Sequence, residues 1–189
     1  MVDVGMRATV RTYNSLMTGP AREGDFEFVE AAIEQMDGAG IAPNEASLGL
    51  LIQALAVRGE GEQARLVLDT MQKTHRIAPN EVHCTLVVEA LCKQGGRSNI
   101  EAAERFLQES NQRSIDSYIP LTRWYSRLRD VHSVRRVIRQ LALEFGGTVP
   151  KPAFKALSII GRPLPGSPSA TTGHTAALLA TGLLKCRRR

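Results

Sequence analysis

The string Ile41-Ala42-Pro43-Asn44-Glu45 returns 36 residues later as Ile77-Ala78-Pro79-Asn80-Glu81. Met36 and Met71 stand 35 residues apart, and Gly24, Gly59 and Gly95 mark steps of 35 and 36. Landmarks that recur together at one period mean tandem repeats. A unit of this length holds two antiparallel helices and a turn, and it buries its apolar face only by stacking on its neighbours. The expected fold is therefore all-α, a solenoid of antiparallel helical hairpins.

Composition agrees with that expectation. The chain is 43% hydrophobic and 23% charged, with only 5% aromatic residues and a mean hydropathy of −0.15. This suits a mostly helical chain rather than a β-sandwich. A formal charge of +5 and a pI near 9.4 bias it toward polyanions. Cys84, Cys92 and Cys186 form an odd, unpatterned trio that argues against a disulfide framework. No run approaches the roughly 18 apolar residues that a membrane span needs.

The chain is read in four parts. Residues 1–9 line up without a gap on Met36–Asn44, with Met on Met and Gly5 on Gly40, so they read as the end of a truncated repeat. Residues 10–147 hold about four hairpins. The first has the stripe Tyr13, Leu16 and Met17 and then, after a turn at Gly24 and a cap at Asp25, the stripe Phe26, Val29, Ile33 and Met36. Gly19-Pro20 falls inside its first helix, where proline costs about 3 kcal/mol or shortens the helix.

The second hairpin pairs Leu51, Ile52 and Leu55 with Ala64, Leu68 and Met71. The third pairs Leu86, Val87, Val88 and Leu91 with Ala102, Ala103, Phe106 and Leu107. The fourth pairs Tyr118, Leu121, Tyr125 and Leu128 with Val131, Val134, Ile138 and Leu141. Residues 148–160 read as a terminal capping helix. Residues 161–189, rich in Pro, Gly, Ser and Thr and ending on Arg, read as a disordered low-complexity basic tail.

Val10-Arg11-Thr12-Tyr13-Asn14-Ser15-Leu16-Met17, closed by Gly24, Met36 and Gly40-Ile41-Ala42-Pro43-Asn44, resembles a pentatricopeptide repeat. That 35-residue family opens with a V-x-T-Y-N-x-L-I helix and closes with E-M-x-x-x-G-I-x-P-[DN]. Ala90-Leu91-Cys92-Lys93-Gln94-Gly95 is similar to its A-L-C-K-x-G helix end. A tetratricopeptide repeat would instead have a 34-residue period with Trp and Tyr landmarks, which are missing from Gly24 to Met71.

The resemblance implies a right-handed solenoid whose concave face binds single-stranded RNA, one base per repeat. It implies base reading by the fifth and last residues of each repeat: Asn14 with Asn44, Gly49 with Asn80, and Thr85 with Asp116. It implies stacking at the second position, here Arg11, Ala46 and Val82. Asn44 and Asn80 have a plainer role open to them as well, which is to cap the following helix. The residues themselves supply a basic row near the ends of the first helices, Arg22, Arg58, Lys93 and Arg127, suited to phosphates. Basic residues at helix C-termini also simply answer the helix dipole.

Enzymatic chemistry finds little support in the sequence. His75, His83, His132 and His174 share no ligand spacing, and Cys84 with Cys92 has no second pair, so neither a metal nor any other cofactor is expected. No nucleophile–base pair or phosphate loop occurs, and no small-molecule substrate or membrane is expected. Two functions of different class fit: a single-stranded RNA binder acting in organellar RNA processing, stability or translation, in the mitochondrion or chloroplast, and an architectural solenoid held in an organellar ribosome or other assembly by protein partners.

Overall fold

The structure, a computed structural model, describes residues 8–160 and 185–186. It divides into two compact units, Met1–Gln94 and Gly95–Arg189.

The first unit contains α1 (Val10–Glu23), α2 (Phe26–Gly38), α3 (Glu45–Arg58), α4 (Gly61–Lys73) and α5 (Glu81–Lys93). Helices α1 with α2, and α3 with α4, close hairpins, while α1 packs along α3 and α3 along α5. The ends are fixed by local chemistry. Thr9, Asn44 and Asn80 cap the three first helices with extended backbones and capping boxes, and Asp25 caps α2 by accepting from the Phe28 N–H. Gly24 ends α1 at φ 83, the left-handed conformation that costs glycine nothing. An added Cβ there would stand 2.9 Å from Val57 Cγ1, so α3 also needs the room. Gly61 starts α4 hard against α5, where a Cβ would come within 2.7 Å of Leu91 Cα.

Leu51, Ile52, Leu55, Ala64, Leu68 and Met71 are all buried, as the second hairpin's stripes predict. Leu16 is not: it is 59% exposed. Its counterparts in the next repeats, Leu51 and Val87, are buried because α1 covers α3 and α3 covers α5; among the described residues nothing covers α1. Helix α1 also runs through Pro20 rather than stopping there. Proline lacks the N–H that would bond the Leu16 carbonyl, and it does so where the helix is exposed at Leu16.

The second unit contains α6 (Arg97–Glu109), α7 (Tyr118–Arg127), α8 (Val131–Glu144), β1 (Thr148–Val149), α9 (Lys151–Ile160) and β2 (Lys185–Cys186). Helix α7 packs on α6, α8 and α9, and β1 pairs in parallel with β2. Of the stretch read as a tail, only this pair is described; the rest of 161–189, like residues 1–7, lies outside the described residues. Ile100, Ala103, Leu107, Leu121, Val134, Val137 and Leu141 fill the core. Leu128, read as part of the α7 stripe, is instead the residue after the helix and 46% exposed.

Two tyrosines anchor this unit through carboxylates. Tyr125 donates to Glu104 at 2.8 Å, and Glu104 also accepts from Arg136 at 2.8 Å. Tyr118 donates to Glu144 at 2.6 Å, which also pairs with Arg113. Burial first, then the neighbouring carboxylate, pushes both phenol pKa values up. Among the described residues every buried side-chain nitrogen and oxygen has a partner.

Candidate nucleic-acid interface

Counted from their caps, α1, α3 and α5 present equivalent positions. The second residue of each helix, Arg11, Ala46 and Val82, is exposed, and Val82 shows 59% of its surface. The fifth, Asn14, Gly49 and Thr85, sits half-buried one turn further on. An exposed residue followed one turn later by a half-buried polar one offers a base a face to lie on and an edge to read.

The first pair is built. Asn14 Nδ2 donates to Asn44 Oδ1 at 3.2 Å. The same Asn44 oxygen accepts the Ser47 backbone N–H at 3.0 Å, and the Ser47 hydroxyl donates to Asn14 Oδ1 at 2.7 Å. Asn44 therefore caps α3 and orients Asn14 at once, and the two roles open to it in the sequence coincide. Ser47, buried at the third helical position, closes the triangle. Its sequence signal is the capping-box slot three residues past Asn44.

The second pair is different. Gly49 has no side chain, and His83 from α5 takes the space; a Cβ on Gly49 would lie 2.9 Å from His83 Nε2. His83 Nδ1 accepts the Asn80 backbone N–H at 3.2 Å. Asn80 Oδ1 accepts the Val82 and His83 N–H groups at 2.9 and 3.0 Å, and its Nδ2 donates to Glu45 at 2.5 Å. Asn80 is thus a cap tied to α3, with no fifth-position partner. Burial lowers the His83 pKa, opposed by the Glu45 charge and a hydrogen bond with the Glu45 backbone. The signal for His83 was again the capping-box slot, together with a glycine one repeat earlier.

Thr85 and Asp116 fall in different units. The Thr85 hydroxyl donates to the Glu81 carbonyl at 2.8 Å, and Asp116 is exposed in the turn that enters α7.

The basic row does not share one environment. Arg22 is exposed in the last turn of α1 and makes no hydrogen bond or ion pair among the described residues. Arg58 is the last residue of α3 and turns to α2, 3.2 Å from Glu27 and 4.8 Å over the Phe26 ring. It stands one residue later in its helix than Arg22 and Lys93 do in theirs, which is about 100° around the axis. Lys93 donates through Nζ to the Val57 carbonyl. Arg127, in the second unit, lies 4.5 Å over the Trp124 ring.

Cys84 and Cys92 are both buried free thiols, and burial pushes the Cys92 pKa up to about 12, so it stays protonated and unreactive. No group of three or more His, Cys, Asp or Glu able to hold a metal occurs among the described residues. None of the described helices is long and apolar enough to cross a membrane.

Comparisons with known proteins place this geometry. The family model described as pentatricopeptide repeat-containing protein matches residues 12–122, more than half of the chain. A mitochondrial pentatricopeptide repeat-containing protein of Arabidopsis thaliana is 32% identical over 100 residues, covering 53% of this chain and 13% of the relative. A mitochondrial 15S rRNA processing factor of Yarrowia lipolytica is 25% identical over 134 residues, covering 69% of this chain and 17% of the relative. The chain thus spans less than a fifth of either relative's length. Among solved structures, a pentatricopeptide repeat protein of maize superposes with a TM-score of 0.70 at 19% identity, over 82% of this chain and 22% of that one. That likeness shows the fold, a helical-repeat solenoid. With its 35- and 36-residue steps, its capped first helices and a family match across three repeats, the chain belongs to the pentatricopeptide repeat-containing proteins.

Proposed function

We propose that the chain binds single-stranded RNA, with the N-terminal turns of α1, α3 and α5 meeting the bases, and that it acts in RNA processing, stability or translation in a mitochondrion or chloroplast. The observation that carries this is the Asn14–Asn44–Ser47 triangle. An amide held on two sides keeps a fixed orientation, so its remaining donor and acceptor capacity meets a base edge without first losing rotamer freedom. Arg11, three residues before Asn14, supplies a guanidinium plane for stacking. The rRNA-processing name of the yeast relative, and the mitochondrial and chloroplastic names of the Arabidopsis ones, support RNA as the ligand and an organelle as the place.

A second function, an architectural solenoid that meets proteins, draws on one observation: Arg58 and Lys93 are engaged inside their own unit. Fluorescence anisotropy separates the two. The RNA function predicts that the chain binds short single-stranded RNA several-fold tighter than duplex RNA of the same length. Binding of single strands no tighter than roughly 10⁻⁴ M, the weak end of non-specific nucleic-acid binding, would leave the architectural function standing.

A further inference from the structure

Two of the second helices carry opposite charges on the sides away from their cores. Helix α2 has four carboxylates, Glu27, Glu30, Glu34 and Asp37, and no lysine or arginine. Helix α8 has Arg135, Arg136 and Arg139 against the single carboxylate Glu144. Some of these charges are already used: Glu27 meets Arg58, Arg136 meets Glu104, and Glu144 meets Arg113. Glu30, Glu34, Arg135 and Arg139 differ, because among the described residues none of these four side chains makes a hydrogen bond or ion pair. Glu30, Glu34 and Arg139 are exposed and Arg135 is half-buried. The two glutamates stand one turn apart, away from the buried Val29, Ala32 and Met36. The two arginines also stand one turn apart, away from the buried Val134, Val137, Ile138 and Leu141. Like charges at that spacing work against a helix. One turn beyond Arg139, on the same side of α8, Leu143 is 75% exposed.

We propose that these faces join copies of the chain: α2 of one copy docks antiparallel on α8 of a second copy, so that Glu30 meets Arg139 and Glu34 meets Arg135. The spacing of about 6 Å along each helix is the same, so both pairs form in one register. The antiparallel arrangement also sets opposite ends of the two helix dipoles side by side. Each pair relieves the like-charge repulsion within both helices. A phosphate backbone would satisfy the arginines, but it would leave Leu143 in water and give the acidic face of α2 no role. A second copy supplies a partner for both helices at once, and a protein surface covers Leu143. The contact joins two unlike surfaces and is therefore heterologous. Exposed ion pairs contribute little each, so the association is weak and sensitive to salt. It does not depend on RNA.

The test is sedimentation of the full chain without RNA, over a range of protein concentrations up to about 1 mM and at low and high salt. The wild-type mass should rise above that of one chain as concentration increases, and should fall back as salt is added. Arg135→Glu with Arg139→Glu should weaken association by roughly tenfold or more, and so should Glu30→Lys with Glu34→Lys. The arginine variant also brings the net charge from +5 toward zero, so a bulk charge effect would strengthen its association instead. Mixing the two variants should restore association, because the reversed α2 of one then faces the reversed α8 of the other. The chain carrying all four substitutions should associate as wild type does. A wild-type chain that stays single at every concentration would overturn the contact. So would an arginine variant with unchanged association, or a mixture that fails to recover it. If the wild-type chain stays single and the arginine variant loses affinity for single-stranded RNA in fluorescence anisotropy, the α8 stripe is a nucleic-acid surface and the contact between copies is refuted. The substituted side chains lie away from the cores, so thermal melts of the variants should match wild type.

Discussion

At the residue scale, the fifth position of a repeat decides whether the cap of the next first helix has a side-chain partner there. With Asn14 the amide meets Asn44 and Ser47; with Gly49 the space goes to His83. His83 also sets a pH dependence. Its folded pKa lies below the ordinary 6.5, so the unfolded chain binds the proton more readily than the folded one. Stability from this group is therefore complete above about pH 6.5 and is lost as the pH falls from there toward the lower folded value. Urea midpoints should drop between neutral and mildly acidic pH, and His83→Gln should flatten that drop; an unchanged slope in the variant would show that His83 is not the group. The pairing of Asn14 with Asn44 was legible in the sequence because both lie at fixed repeat positions. The roles of Ser47 and His83 were not, because their signal is a helix cap, and only the fold brings that cap beside the preceding first helix.

At the scale of elements, equivalent positions meet different surroundings. Leu16, Leu51 and Val87 stand in the same register, yet exposure runs from 59% at Leu16 to 9% at Leu51 and 0% at Val87. Periodicity reveals which face of a helix is apolar, but whether a neighbouring repeat covers it is a property of the stack. Leu51→Asp places an unpaired charge between α1 and α3 and should cost more than about 4 kcal/mol. Leu16→Asp, the same change one repeat earlier, should stay within about 0.5 kcal/mol. Thermal unfolding followed by circular dichroism checks both, and similar losses at the two sites would contradict the difference in burial. The helices themselves were legible from Gly24, Gly59 and the Asn caps. The passage of α1 through Pro20 was not, because the exposure of the turn around Leu16 is a tertiary fact. Nor was the Glu104–Tyr125–Arg136 network, which joins residues from three helices with no shared period.

At the scale of the whole molecule, the chain carries a net +5 and spans less than a fifth of the relatives it matches. Under the proposed function the one complete pair, Asn14 with Asn44, would read one base, so affinity should come mainly from phosphates and be strongly salt-dependent, while selectivity should be confined to one position. Stacking and edge contacts at that position are worth about 1–3 kcal/mol. The most direct measurement is a competition titration of wild type and Asn14→Ala against a panel of single-stranded RNAs that differ at one base. Wild type should prefer one base at a single position of the strand, and Asn14→Ala should erase that preference while keeping most of the affinity and the full salt slope. If Asn14→Ala retains the base preference of wild type, the Asn14–Asn44–Ser47 triangle is a helix cap and nothing more.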